Sequence, residues 1–154
     1  MSCTAIMTKA PPTVSGDASV AGAAAMLIGH RYTSLPVVDA AGRYIGMFGI
    51  DDLLGLLVPR VALAGNHMSN LRFLSEDGGE LRRRYEEVKS RRVSEVADRN
   101  AARLESDAAE IEAIRFCCRS HAPIPVVEKG TNKVIGIISS WDAIRSLTEA
   151  PHPA

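Results

Sequence analysis

The fold is decided by one stretch of the sequence, which begins Ala122-Pro123-Ile124-Pro125-Val126-Val127-Glu128. This apolar run is followed by a polar turn at residues 129–133 and by a second apolar run at residues 134–138. Ser139-Ser140-Trp141-Asp142 comes next, with a hydroxyl and a carboxylate where a helix would open. Apolar runs of this length, bounded by turn residues, predict a strand, a turn, a second strand and a helix.

The same order of elements occurs earlier in the chain, at residues 35–54. Four positions correspond between the two copies: Pro36 with Pro125, Asp39 with Glu128, Gly46 with Gly136, and Asp52 with Asp142. The copies lie about 90 residues apart, which is too long for a solenoid and fits two copies of one small domain. A chain of 154 residues has the length of one compact domain or of two small ones that share a core.

We therefore predict an α/β (α+β) fold built from a tandem, pseudo-symmetric pair of β-α-β-β-α units. The first unit covers residues 1–59 and the second covers residues 93–149, with a linker carrying a charged helix at 60–92 and a tail at 150–154. Two three-stranded sheets, each with two helices on it, are expected to face each other. Their inward side chains are expected to form a shared core: Val37, Val38, Ile45, Phe48, Val126, Val127, Ile135 and Ile137.

The elements of each unit follow from apolar periodicity and capping residues. In the first unit we predict a strand at 14–15, a helix at 20–30, strands at 32–38 and 44–48, and a helix at 50–58. Asp17 or Ser19 is expected to cap the first of these helices. In the second unit, a strand at 103–104 leads to a helix that ends near residue 120 and is capped by Ser106 or Asp107.

The linker departs from the repeat. Residues 61–66 and 75–79 are expected to be irregular, whereas residues 80–90 have the apolar periodicity of a helix. Three consecutive arginines at 82–84 raise the hypothesis of nucleic-acid binding, but glutamates within one turn on either side neutralise them. We interpret this segment as a solvated linker helix with a thin apolar face.

Composition limits the classes of function. The hydrophobic content of 46% and charged content of 23% are ordinary for a soluble globular protein, and a formal net charge of zero gives no footprint for nucleic acid. No apolar run reaches the roughly 18 residues of a membrane span, and a signal peptide is not expected. The three cysteines favour reduced thiols in a cytoplasmic protein, and no metal-ligand spacing is present.

Two copies of this ordered set, with Pro-Val-Val-acid, a turn, an apolar strand with Gly and a late Asp, resemble the CBS (cystathionine β-synthase) domain family. Two such domains in tandem resemble a Bateman module, and the resemblance covers roughly residues 4–58 and 93–148. It implies a regulatory or sensory module that binds AMP, ADP, ATP or S-adenosylmethionine in clefts between the paired domains.

The second copy carries the stronger candidate site. Ser139 and Asp142 lie three residues apart, so their side chains share one side of the first helical turn and can hold the two hydroxyls of a ribose. The family uses this Ser/Thr-x-x-Asp arrangement for ribose. The same pair is also an ordinary helix cap with an acidic residue in the first turn, and both interpretations stay open.

The resemblance also implies an adenine slot formed by four residues: His121, Ala122, Ile124 and Ile137. For His121 the alternative is a surface or partly buried imidazole. In the first copy, Asp52 is kept but Gly49 stands where the hydroxyl is expected. Tyr32 and Thr33 would occupy its base slot, which predicts a weaker second site.

Phosphate contacts are the least defined part of the sites. Many nucleotide-binding relatives carry an arginine two residues before the proline, whereas this chain has Ser34 and Pro123 there. The remaining candidates for phosphate contacts are Arg31, His30 and Arg145.

No catalytic constellation is present in the sequence, so we expect a protein that is not an enzyme and needs no cofactor. The main hypothesis is a sensor that binds an adenosine ligand, preferentially at the second-copy site, and acts through an unidentified effector protein or its own dimer. The alternative hypothesis is a ligand-free dimerisation or protein-interaction module. A homodimer is expected through the helices, with the Ala-rich helix at 20–30 and the leucines at 53–57 as contact faces.

Overall fold

The computed structural model describes residues 1–58 and 78–149. The predicted irregular segment at 61–66, the first part of the one at 75–79 and the tail at 150–154 lie outside the described residues. The strands are β1 (Thr8–Lys9), β2 (Val14–Ser15), β3 (Ser34–Val38), β4 (Tyr44–Gly49), β5 (Leu104–Glu105), β6 (Ile124–Val127) and β7 (Val134–Ile138). The helices are α1 (Val20–His30), α2 (Ile50–Leu57), α3 (Gly78–Val88), α4 (Val93–Val96), α5 (Glu110–Arg119) and α6 (Ser140–Thr148), with a 3-10 turn at Cys3–Ala5. The predicted strand-helix-strand-strand-helix order is confirmed in both copies.

Each unit contains one sheet. In the first, the order is β2-β3-β4, with β2 parallel to β3 and β3 antiparallel to β4, so that Leu35 lies opposite Phe48. In the second, the order is β1-β7-β6-β5, with β5 parallel to β6 and β6 antiparallel to β7. The second sheet thus has four strands where three were predicted, because β1 joins it with Thr8 opposite Ile137.

The leading segment of each copy, which precedes β2 in the first copy and β5 in the second, packs on the other unit. Cys3, from the first copy, is buried in the core of the second unit, and its N–H donates to the Ala108 carbonyl at 2.8 Å. Val93, from the second copy, is buried in the core of the first unit, and its N–H donates to the Ala18 carbonyl at 2.9 Å. The two units therefore exchange equivalent segments.

Each unit has its own core, so the prediction of one shared core is wrong. Val37 and Phe48 pack with residues of α1, whereas Val126 packs with residues of α5, because each sheet is covered by the helix of its own unit. A smaller, separate cluster joins Tyr44 and Met47 of the first unit to Val127 of the second, so packing between the units is found for Val127 among the predicted core residues. Most predicted core side chains are buried; the exceptions, which are partly buried, are Ile45 and Ile135.

The two hairpin turns tie the units together. The N–H of Tyr44 donates to the Asn132 carbonyl at 2.9 Å, and the N–H of Val134 donates to the Gly42 carbonyl at 3.1 Å. These backbone hydrogen bonds connect the start of β4 to the start of β7.

The cap of α1 is as predicted, but the cap of α5 is not. Ser19 accepts a hydrogen bond from the Gly22 N–H at 3.0 Å. At α5 the N-cap is Ala109, and the Glu110 N–H donates instead to the carbonyl of Met1 at 3.0 Å. The N-terminal segment thus satisfies the start of α5, while Ser106 and Asp107 contact Lys129.

Helix α3 begins at Gly78, so the prediction of irregular structure was wrong for residues 78 and 79. Glu80 forms ion pairs with Arg83 and Arg84 at 2.5 and 3.2 Å, and these stabilise the first turns of the helix. The Arg84 guanidinium also donates to the carbonyl of Leu57 at 2.9 Å, which docks α3 on the end of α2.

Gly46 and Gly136 recur in the repeat because the exchanged segments pass directly over them. A Cβ at Gly46 would lie 2.6 Å from the carbonyl oxygen of Asp98, whereas a Cβ at Gly136 would meet the flexible side chain of Met7. We expect Gly46→Ala to lower the free energy of unfolding by about 1–3 kcal/mol, because the backbone must move. Gly136→Ala should cost less, since a methionine side chain can change rotamer.

The matched control for this pair is Gly29→Ala. Gly29 lies in α1, where an added Cβ would have no atom within 4 Å, so alanine there should stabilise the protein by about 0.5–1 kcal/mol. Chemical denaturation of the three variants gives the comparison. Equal losses for Gly46→Ala and Gly136→Ala would contradict the assigned backbone contact.

Candidate functional site

Two clefts are each lined by both copies of the repeat. The Asp142 cleft has a volume of about 630 Å³ and is lined by Thr8, Arg31, Tyr32, Thr33, His121, Pro123, Ile137, Ser139, Ser140, Trp141, Asp142, Ile144 and Arg145. The Asp52 cleft has a volume of about 510 Å³ and is lined by Thr33, Ser34, Met47, Gly49, Ile50, Asp51, Asp52, Asp98, Ala101, Ala102, Phe116, Ser120, His121, Ala122, Pro123 and Ile124. In each cleft, the strand-to-helix turn of one copy meets the loop before the strand pair of the other.

Ser139 and Asp142 form a capping box at the start of α6. The N–H and the hydroxyl of Ser139 both donate to Asp142 Oδ2, at 2.8 and 2.7 Å, and the Asp142 N–H reaches Ser139 Oγ at 3.3 Å. The predicted helix cap is therefore present. It does not exclude a ligand contact, because these bonds use only one of the two carboxylate oxygens.

The other carboxylate oxygen, Asp142 Oδ1, faces two residues that lie outside the first turn of α6. Thr8 Oγ1 donates to it at 3.1 Å, and the Arg145 guanidinium lies 3.7 Å away. A carboxylate oxygen has about two lone-pair sites, so one acceptor site at Oδ1 is left beside the Thr8 bond. Asp142 is 8% exposed and lies at the wall of the cleft, where hydrogen bonds from Thr8 and Ser139 orient its carboxylate.

Two arginines give the Asp142 cleft cationic groups. Arg145 is 60% exposed at its side chain, and Arg31 lines the same cleft from the end of α1. Arg31 is the C-cap of α1 and has a left-handed backbone with φ of 55°. That conformation is disfavoured for a residue with a Cβ, so an arginine there costs stability that glycine would not.

The Asp52 cleft has the opposite character. Asp52 Oδ2 accepts the Gly49 N–H at 2.7 Å, and the carboxylates of Asp51 and Asp98 line the same cleft. Burial raises the pKa of Asp52, the hydrogen bond from Gly49 opposes this, and the negative charges of Asp98 and Asp51 add to the rise. The cleft therefore resists additional negative charge.

The structure regroups the predicted site residues. Ser139, Asp142, His121 and Ile137 lie together in the Asp142 cleft as expected. Ala122 and Ile124 instead line the Asp52 cleft, so their predicted grouping with Ser139 is corrected. The physical reason is the packing of the two units, in which the loop before β6 of one unit lies opposite the turn before α2 of the other.

The first-copy residues are divided in the same way. Tyr32 lines the Asp142 cleft, while Thr33 and His121 line both clefts. Of the three phosphate candidates, Arg31 and Arg145 lie in the Asp142 cleft. His30 does not line either cleft; its ring lies 6.2 Å from the ring of Tyr32.

Thr8 and Asp98 line the two clefts, and the sequence analysis did not identify either of them. Thr8 contacts Asp142, and Asp98 lines the Asp52 cleft. They occupy equivalent places, because β1 pairs with β7 through Thr8 while Asp98 exchanges backbone bonds with Met47 of β4. Thr8 and Asp98 lie 90 residues apart, which is the spacing of the repeat, and this spacing could have identified them as equivalent positions in the sequence.

Other classes of site find no support in the part of the chain that the structure describes. Within residues 1–58 and 78–149, no group of three or more His, Cys, Asp or Glu side chains is placed to hold a metal ion. None of the helices described is both long and apolar enough to span a bilayer.

Residues 3–59 match the CBS domain family. The first unit is a CBS domain. Comparison of the sequence with curated proteins finds no match. The match of residues 3–59 confirms the predicted resemblance to this family.

Solved structures extend the likeness to the whole chain. The CBS-pair protein CBSX2 from Arabidopsis thaliana has 20% identity and a TM-score of 0.73, covering 95% of this chain and 93% of that one. A structure of CBSX2 in complex with AMP has 21% identity and a TM-score of 0.68, covering 95% of both chains. A hypothetical conserved protein from Geobacillus kaustophilus has 17% identity and a TM-score of 0.70, covering 96% of both. The chain therefore has the fold of a CBS pair.

Proposed function

We propose that this CBS pair is a non-enzymatic regulatory module that binds an adenosine-containing ligand in the Asp142 cleft. The observation that carries the proposal is the meeting in one cleft of a buried carboxylate, the two hydroxyls that donate to it, and two arginines. Its volume of about 630 Å³ lies within the usual range for small-molecule sites. The structure of CBSX2 with AMP, which has the same fold, supports this class of ligand.

The carboxylate of Asp142 is the ribose contact in this proposal. Its Oδ1 has one acceptor site beside the bond from Thr8, which suits one ribose hydroxyl. The Thr8 hydroxyl can rotate and either keep this bond or yield it to the ligand. The capping bonds at Oδ2 hold the carboxylate in place, so cap and ligand contact act together.

The arginines supply the phosphate contacts. A guanidinium can make two parallel hydrogen bonds to a phosphate, and Arg31 and Arg145 come from different units. A ligand held by both therefore ties the first unit to the second. This connection offers a physical route from binding to regulation, through the relative stability of the two-unit arrangement.

Asp142→Ala should weaken AMP binding by roughly 10- to 150-fold, because a hydrogen bond to a charged group is worth about 1.5–3 kcal/mol. Asp52→Ala, at the equivalent position of the other cleft, is the matched control and should change AMP affinity little. Calorimetry with deoxyribose analogues of AMP separates ribose contact from helix capping. The analogue that lacks the contacted hydroxyl should bind wild type more weakly but lose little further on Asp142→Ala; additive losses for every analogue would speak against the contact.

Arg31→Gly should uncouple stability from binding. Glycine relieves the left-handed backbone, so the free energy of unfolding should stay level or rise by about 1 kcal/mol, while AMP binds at least several-fold more weakly. Arg31→Ala is the control, since it removes the guanidinium but keeps the backbone strain. Thermal melting and AMP titration of both variants give the result. Unchanged AMP affinity in both would remove Arg31 from the site.

We also propose that the module forms a homodimer through α2 and α6. Leu54, Ile144 and Leu147 on these helices are 51%, 53% and 68% exposed, and Trp141 is 77% exposed. Helix α1 is a poorer candidate than the sequence indicated, because Val20, Ala23, Ala24 and Leu27 are buried within the first unit. A ligand-free interaction module is the alternative function that these surfaces favour.

Sedimentation velocity at micromolar concentration tests the assembly. We expect a species of about twice 16.5 kDa, and Leu147→Glu should shift it towards monomer because a charge in an apolar interface is costly. Ile28→Glu, at a side chain 78% exposed on α1, is the control and should leave the dimer intact. A wild-type monomer under these conditions would refute the dimer.

A cytoplasmic location and an effector protein complete the proposal. All three cysteines are free thiols, which is the usual state in a reducing compartment.

A further inference from the structure

The start of α1 in the first unit is covered by α3 and by the stretch that follows it. The N–H of Ala21 donates to the Lys89 carbonyl at 3.0 Å. On α3 itself, the side of the helix that carries Arg84, Tyr85 and Val88 is partly buried, and the helix packs on α2. A helix of the protein and its basic extension therefore cover this end of the first unit.

The equivalent place in the second unit has no such cover among the described residues. At the start of α5, the Glu110 N–H donates to the Met1 carbonyl, and the equivalent acceptor in the first unit is the Arg91 carbonyl, 90 residues later. Helix α3 precedes that position, so no described residue of the second unit corresponds to it. Ile111, the counterpart of Ala21, is 63% exposed.

The uncovered surface is an apolar groove with an acidic rim. It has a volume of about 360 Å³ and is lined by Met1, Ala109, Glu110, Ile111 and Ile114. Glu112 adds a second carboxylate to the first turn of α5, and neither glutamate forms an ion pair with any described residue. The corresponding residues of α1 are neutral, Val20 and Gly22. The groove therefore suits an apolar surface that is flanked by positive charge.

We propose that this groove binds an amphipathic helix of a partner protein, with an apolar stripe and a basic flank, as the first unit binds α3. The chemistry of the occupant follows from the covered unit. Residues 78–92 carry six cationic and three anionic side chains, a net charge of +3, which complements the two glutamates. The helix would lay its apolar stripe in the groove, and the acidic rim would fix its direction.

The groove shares no lining residue with either cleft. The inference therefore does not depend on which ligand the clefts bind. It gives the proposed effector protein a binding surface of its own on the second unit.

A synthetic peptide with the sequence of residues 78–92 is the probe, because the first unit already binds this segment within the chain. Fluorescence anisotropy of the labelled peptide with the wild-type protein should show saturable binding. Ile111→Gln should weaken binding roughly fivefold or more, because the groove loses a large apolar side chain. Ile28→Gln, at an isoleucine of α1 that is 78% exposed, is the matched control and should bind the peptide as wild type does.

Replacing Glu110 and Glu112 together by Gln tests the acidic rim while keeping similar shapes. Peptide affinity should fall roughly three- to tenfold at low salt, and its dependence on salt should become shallower. A scrambled peptide of the same composition keeps the net charge but loses the apolar stripe, so it should bind much more weakly than the native sequence.

Four outcomes would overturn the proposal. The first is no saturable binding at about 1 mM, a concentration that detects even weak complexes. The second is equal affinity for wild type and Ile111→Gln, which would place the peptide elsewhere, for example on the first unit in exchange for α3. The third is equal binding of the scrambled peptide, which would reduce the interaction to net charge. The fourth is a wild-type dimer that Ile111→Gln alone dissociates in sedimentation velocity, since a second copy of the chain would then cover the groove.

AMP titration of Ile111→Gln keeps this result separate from the proposed function. The variant lies outside both clefts, so its affinity for AMP should equal that of wild type. Loss of peptide binding with AMP binding retained supports the groove, whereas loss of both would show a general disturbance of the fold and overturn the assignment of Ile111 to a separate surface.

Discussion

The exchange of leading segments between the units is the constraint on which both clefts depend. Asp98 and Met47 share two backbone hydrogen bonds of 2.8 and 3.0 Å, directly over Gly46. At the equivalent place, Thr8 lies opposite Ile137 in the second sheet. Without this exchange, Thr8 would not reach Asp142 and Asp98 would not line the Asp52 cleft. The close backbone approach at Gly46 therefore places Asp98 at the Asp52 cleft, as the pairing of Thr8 with Ile137 places Thr8 at the Asp142 cleft.

The two copies have nearly the same backbone fold but different side chains, and this difference gives the two clefts different chemistry. The turn before α2 has Gly49 as N-cap, whereas the turn before α6 has Ser139. The leading segments place a carboxylate in one cleft and a hydroxyl in the other, at Asp98 and Thr8. A duplicated fold can in this way present two clefts of different chemistry, and each cleft is lined by residues of both units.

The repeat and its elements were predictable from sequence because they depend on local patterns. Apolar runs, turn residues and the cap at Ser19 are signals within one element. The cap of α5 was not predictable, since its acceptor is the carbonyl of Met1, more than a hundred residues away in the chain. The prediction of a shared core was wrong for a related reason. Apolar strands indicate that a face of the sheet is covered, but they do not indicate whether a helix or a second sheet covers it. The site was predictable only in part. The pairing of Ser139 with Asp142 depends on a local spacing, so the sequence indicated it. The assignment of Ala122 and Ile124 to the same cleft failed, because a linear motif does not show which copy faces which.

The central claim is that one ligand in the Asp142 cleft contacts both copies of the repeat. Hydrogen–deuterium exchange with saturating AMP tests this claim most directly. We predict slower exchange of backbone amides in three separate segments: residues 6–10, residues 31–33 and the turn at residues 139–145. Residues 49–54 of the other cleft should change little. Protection confined to the second copy, or found only around residues 49–54, would contradict a ligand that bridges the two units.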